Sequence, residues 1–216
     1  MNTHQFFIIL SCMLLPSLSA AANELRFVAF DLQVPAGECQ LVPENDSGKK
    51  SKIELGVSRF SNPVSLPPGT YKLILPDGKT SGTFNLKEGA EDKLIAIVTP
   101  GPEGSVGLIT APDGSASFGP GDHLFINATQ TEVRMQFGER NLACKPGSTQ
   151  IVKSPKLSVE GRHPVRMAIM RDNNWIVFNS TWWPDDRVSR SLVLFIPNAT
   201  TGVPAVKTIE EIPDRG

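Results

Sequence analysis

The chain is poor in the side chains that carry chemistry. Three histidines and three cysteines occur in 216 residues, and none stands at the spacing that ligates a metal. Loss of an N-terminal leader leaves only His123, His163, Cys39 and Cys144. No Gly-x-Ser-x-Gly elbow is present, and no cysteine lies beside a histidine-rich motif, so nucleophilic catalysis has no local signature. Gly101, Gly104, Gly119 and Gly121 sit in turns that lack the Lys-Ser/Thr and following helix of a phosphate loop. Asp-x-Asp calcium loops are missing, and Asp185-Asp186 reads as a solvated turn. His123 and His163, next to Asp122 and Pro164, read as ordinary loop or surface residues. No cofactor or metal is expected, and a non-enzymatic protein is the better reading. The rival is a surface-polymer hydrolase using Asp185 or Asp186 with a histidine, but adjacent acids are poorly placed for two-carboxylate chemistry.

Charge of one sign is also lacking. The 21 Lys+Arg and 22 Asp+Glu are dispersed, which provides no basic surface for nucleic acid or for anionic membrane. Long apolar runs are absent except one. Phe6-Phe7-Ile8-Ile9-Leu10 opens an apolar stretch to Leu18, well short of the ~20 residues that span a bilayer. With Ser19-Ala20-Ala21-Ala22 behind it, residues 1–22 read as a signal peptide cleaved near Ala20–Ala22, although no Lys or Arg precedes the run. A lipoprotein reading would use Cys12, but few apolar residues precede it. The expectation is an exported chain, periplasmic or extracellular, with no membrane insertion after cleavage.

Helical periodicity is nearly missing too. What is present is turn chemistry and short strands. Eighteen Gly and eighteen Pro are spread through the chain rather than clustered, and strand patterns recur between them. Val133-Arg134-Met135-Gln136-Phe137 alternates apolar and polar, as a strand with one buried face does. Leu94-Ile95-Ala96-Ile97-Val98 and Leu192-Val193-Leu194-Phe195-Ile196 are unbroken, as in strands covered on both faces. The fold class is therefore all-β, in antiparallel sandwiches. The expected core is Phe27, Leu73, Ile95, Ile97, Phe125, Met135, Met167, Ile169, Leu194 and Ile196.

The chain also repeats itself weakly. Phe27-Val28-Ala29-Phe30 is echoed by Leu124-Phe125-Ile126-Asn127, and 93–100 by 191–197. Both of the latter strands run on into a second one, at 105–110 and 205–209. The turn Leu66-Pro67-Pro68-Gly69-Thr70 is matched to Cys144-Lys145-Pro146-Gly147-Ser148. Two tandem β units follow: 23–113 and 122–216, joined by a linker at 114–121.

Export permits a disulfide between Cys39 and Cys144, and closing so long a loop would restrict the unfolded chain by roughly 4–5 kcal/mol. The alternative is that Cys144, matched to Leu66 by the repeat, is a small buried hydrophobe. Four Asn-x-Ser/Thr sequons, at Asn45, Asn127, Asn179 and Asn198, matter only in a eukaryotic secretory pathway.

All three tryptophans lie in residues 175–187. Trp182 and Trp183 are adjacent, so in a strand they point to opposite faces. If one fills the core, the other meets solvent, a cation such as Arg187 or Arg190, or a partner. Trp175, Trp182, Trp183 and Arg187 are the candidate binding residues, for a protein or glycan partner; the alternative is that all three tryptophans serve the core.

Residues 121–214 resemble a group of small exported bacterial proteins of uncharacterised activity. The likeness rests on Leu124-Phe125-Ile126-Asn127, Lys145-Pro146-Gly147, Ser180-Thr181-Trp182-Trp183-Pro184, Arg190-Ser191-Leu192-Val193-Leu194-Phe195 and Thr208-Ile209-Glu210-Glu211-Ile212-Pro213. Val64-Ser65-Leu66-Pro67-Pro68-Gly69-Thr70-Tyr71 looks like the turn-strand of bacterial surface β-sandwich modules. The resemblance implies a fold and an exported location, not an activity. The expected function is a structural or interaction module of the cell envelope or extracellular space; the alternative is a glycan-binding module or hydrolase using residues 175–187.

Overall fold

A computed structural model describes residues 22–30, 36–45, 50–88, 93–101, 105–153, 158 and 160–213. Residues 1–21, which hold most of the expected signal peptide, lie outside them. The described residues form strands and no helix. The first eight strands are β1 (Asn23–Ala29), β2 (Gly37–Pro43), β3 (Ser51–Leu55), β4 (Val64–Leu66), β5 (Gly69–Ile74), β6 (Ser81–Leu86), β7 (Lys93–Pro100) and β8 (Val106–Pro112). The last eight are β9 (His123–Asn127), β10 (Val133–Phe137), β11 (Arg140–Cys144), β12 (Thr149–Val152), β13 (Arg162–Arg171), β14 (Asn174–Pro184), β15 (Arg190–Ile196) and β16 (Ala205–Glu211).

Strand order carries the repeat more strongly than residue identity does. The first eight strands form sheets β4-β1-β7-β8 and β3-β2-β5-β6; the last eight form β12-β9-β15-β16 and β11-β10-β13-β14. Adding eight to each strand number converts the first pair of sheets into the second. The units are not antiparallel throughout, contrary to the expectation from sequence: each has one parallel pair of strands, and the pair keeps its place in this mapping, β1 with β7 and β9 with β15. One expected match fails. The Pro67-Pro68-Gly69 turn joins β4 to β5, whereas Lys145-Pro146-Gly147 joins β11 to β12, so the two turns hold different places in the topology. Cys144 accordingly ends β11, the counterpart of β3, and does not replace Leu66.

The unbroken strands are explained by a stack of four sheets with three cores. Along β1, Leu25, Phe27 and Ala29 face the first sandwich, while Val28 faces the other way. Along β7, Leu94, Ala96 and Val98 alternate in the same manner with Ile95 and Ile97. In β15, Val193 and Phe195 face the second sandwich, and Leu192, Leu194 and Ile196 meet Val28, Ile95 and Ile97 in a middle core between the units. All ten expected core residues are buried. Val28, Ile95, Ile97, Leu124, Ile126, Leu192 and Leu194 are fully buried in the middle layer. At about 1.5–3 kcal/mol each, they contribute on the order of 10 kcal/mol or more to holding the units together, taken as an upper estimate.

Cys39 and Cys144 are not bonded to each other. Cys39 belongs to the first sandwich core and Cys144 to that of the second, with the two inner sheets between them. Burial pushes the Cys39 thiol up to about 11 and raises that of Cys144 as well; both are packing residues rather than nucleophiles. The sequon residue Asn127 is fully buried, its side-chain amide donating to the Thr131 and Cys144 carbonyls at 2.8 Å each, so its role is to tie a turn.

Candidate functional site

The tryptophans occupy the longest hairpin among the described residues. β13 has 10 residues and β14 has 11, against 6 each in their first-unit counterparts β5 and β6. Asp172 and Asn173, at φ 49° and 61°, make the tight turn between them, as Asp and Asn tolerate the left-handed region needed for a two-residue hairpin. A register shift at Met167/Ala168 bends the pair. β14 ends its sheet, so among the described residues no strand pairs with its outer edge.

Alternation then sorts the side chains. Trp183 turns inward, where its ring lies 5.9 Å from Phe125, 5.6 Å from Phe137 and 5.3 Å from His123. Trp182 turns outward and is 52% exposed. Its cation is Arg162 of β13, at 4.8 Å from the ring; neither Arg187 nor Arg190, expected from sequence, takes that place. Trp175 is half-buried beneath Arg134 at 3.9 Å. Val177, at 56% exposed, and Met170 complete an outer apolar surface edged by arginines. Arg187 is exposed in the following loop and acts on Asp185 through charge. The outer face thus carries both Trp175 and Trp182, towards opposite ends of β14, and leaves Trp183 and Arg187 elsewhere.

Both histidines are buried, contrary to the loop or surface reading. His163, on β13, hydrogen-bonds Asp185, whose carboxyl is not a solvated turn group: it also accepts the Ser158 amide at 2.6 Å. That amide and the histidine hold its pKa below the usual range. Asp186 is separately employed. It accepts the Ser189 hydroxyl and the Val188 amide, the latter at 2.7 Å, and these bonds lower its pKa. His123 opens β9 with Nδ1 buried and unpartnered. Desolvation pushes its pKa down to about 4, with His163 lowering it further and Asp122 and Asp186 opposing. The ring is therefore neutral at pH 7. Local sequence hid these two burials: His123 is covered by Phe137 and Trp183 of the opposite sheet, and His163 packs against Phe137 of its own sheet and pairs with Asp185.

A larger cleft of about 1000 Å³ opens between the units beside Arg26, Asp113, Arg190 and Glu211. Arg26 joins Asp113 at 2.7 Å and Glu211 at 2.5 Å; Arg190 joins the same two acids at 2.6 Å and 2.7 Å. Arg190 also donates to the carbonyls of Asp113 and Phe118. Burial alone would raise Glu211, but hydrogen bonds from Arg26 and Arg190 outweigh it and lower its pKa. Arg26 and Asp113 come from the first unit, Arg190 and Glu211 from the second. These charges are spent on one another, so the network is a latch between units.

No protein-family model matches the chain, and neither does any curated protein. Among the described residues, no group of three or more His, Cys, Asp and Glu is arranged to hold a metal.

Proposed function

We propose that the protein is an exported, non-enzymatic interaction module of the cell envelope or extracellular space that binds a protein partner through the outer face and free edge of β13–β14. The carrying observation is Trp182, half exposed on an 11-residue edge strand, with Trp175, Val177 and three β-strand arginines on the same face. Arg134, Arg162 and Arg166 supply those cations. Tryptophan and arginine are the residue types that dominate protein interfaces. Edge strands are normally blunted by shortness, charge, proline or a bulge; β14 has a bulge near its middle and ends at Pro184, but it is long and carries no charged side chain. A protein fits better than a glycan, because arginines already lie against the exposed rings where a sugar would stack. Export rests on the leader at residues 1–22 and on the resemblance to small exported bacterial β-sandwich proteins.

The test is photo-crosslinking in the native host with benzoylphenylalanine in place of Trp182. A discrete protein adduct, abolished by adding Val177→Lys to block the edge, supports the proposal. Absence of any protein adduct, or an adduct indifferent to Val177→Lys, overturns it.

A further inference from the structure

The two sandwiches differ at the rim where their final strands meet. In the first, β6 lies directly along β8: a Cβ added to Gly82 would sit 2.3 Å from the Val106 carbonyl oxygen and 2.5 Å from Leu108. In the second, the counterparts β14 and β16 do not pack together in this way. A pocket of about 160 Å³ occupies the gap, room for about five water molecules at ~30 Å³ each. Register builds its floor. His123 stands opposite Ser191 on β15, and Ser191 stands opposite Glu210 on β16. Residues directly paired across strands share a face, so imidazole, hydroxyl and carboxylate form one rung, with Trp183 and Asp186 as walls and Thr208 beside them.

The chemistry of this lining is one-sided. Asp186 and Glu210 supply two carboxylates, and no Lys or Arg lines the pocket among the described residues. His123 is 7% exposed, makes no hydrogen bond to any described residue, and leaves Nδ1 without a partner. Nδ1 is sealed from solvent, so the ring nitrogen that a group in the pocket can meet is Nε2. As a neutral imidazole it offers one acceptor nitrogen. Trp183 adds an aromatic wall, which attracts cations.

We infer that this pocket binds a primary alkylammonium group of about the size of the end of a lysine side chain. The ammonium donates to the imidazole, pairs with Glu210 at the mouth, and lays its methylenes along Trp183. The site lies on the inward side of β14, apart from its outer face, so this inference and the partner-binding proposal stand or fall separately.

The experiment is NMR titration of the mature chain, following the His123 ring signals together with tryptophan fluorescence. The probes are n-butylammonium, Nα-acetyl-lysine amide and the uncharged isostere 1-butanol. Saturable shifts with either ammonium and none with butanol are expected. The exposed Glu210→Gln change should weaken binding about fivefold while leaving thermal stability intact. Tighter binding of the lysine derivative would assign the group to a polypeptide, and tighter binding of butylammonium to a free amine; either supports the site. No saturable shift with either ammonium, equal binding of butanol, or unchanged affinity in Glu210→Gln overturns it.

Discussion

The two halves of this molecule share one strand order and differ in how they finish it. The first sandwich closes its rim with Gly82 against β8 and keeps its hairpin strands short. The second lengthens the equivalent hairpin, turns Trp182 to solvent, and leaves a pocket behind Trp183. Duplication fixes the frame; the departures from symmetry mark where function is to be sought. Both units nevertheless depend on a common middle core and on the arginine–carboxylate latch beside it.

The latch is where the comparison breaks most readily. Arg190 is nearly fully buried and serves both Asp113 and Glu211. Arg190→Ala leaves two acids short of a partner, and removing one member of a buried charge network typically costs about 3–5 kcal/mol. Arg26→Ala, on a more exposed side chain at the same acids, should cost less. Urea denaturation of both variants measures the difference; equal, small losses would mean that the apolar layer alone joins the units.

A second break is in pH, and it should affect only the second sandwich. Burial lowers the folded-state pKa of His123 from 6.5 to about 4. Between those values the unfolded chain binds the extra proton, so stability rises with pH across that window. The contribution is fully present above pH ~6.5 and is lost as pH falls toward ~4, amounting to roughly 3 kcal/mol at ~1.36 kcal/mol per unit. Asp185 and Asp186, with lowered pKa values, lose their contribution only in more acid solution. His123→Phe should flatten the profile between pH 4 and 6.5 while leaving the more acid loss in place. A wild-type profile already flat there would exclude the buried neutral imidazole.

The sequence revealed layers better than neighbours. Continuous runs in β7 and β15 marked strands covered on both faces, because burial on two sides demands apolar residues at every position. Alternation in β10 marked a half-buried strand for the corresponding reason. Turn motifs misled: Pro-Gly pairs punctuate a chain wherever it reverses, and two of them matched at different places in the topology. The cation over Trp182 could not be read, since it depends on the register of β13 against β14. Arg190 was legible in principle. It alternates with Leu192 and Leu194, which places it on the face toward the other unit. Nothing local signalled the burial of His123, which the opposite sheet imposes.

The smallest effect is the most informative about the hairpin. Trp182 and Trp183 are chemically identical neighbours, and strand alternation alone gives them opposite surroundings. Trp183→Ala removes a ring packed against Phe125 and Phe137 and should destabilise by about 2–4 kcal/mol, somewhat below the range for a fully buried aromatic. Trp182→Ala removes a ring that meets solvent and Arg162, so its cost should stay within about 1 kcal/mol. Iodide should quench Trp182 and spare Trp183, so the Trp182→Ala variant loses most of the accessible fluorescence. Thermal melts of both variants, read with that quenching, decide the matter. If Trp182→Ala proves as damaging as Trp183→Ala, the outer face is structural and the second unit's longer hairpin exists for packing. If it is silent in stability yet abolishes the crosslinked adduct, the lengthened hairpin is the feature that gives the second sandwich a role the first lacks.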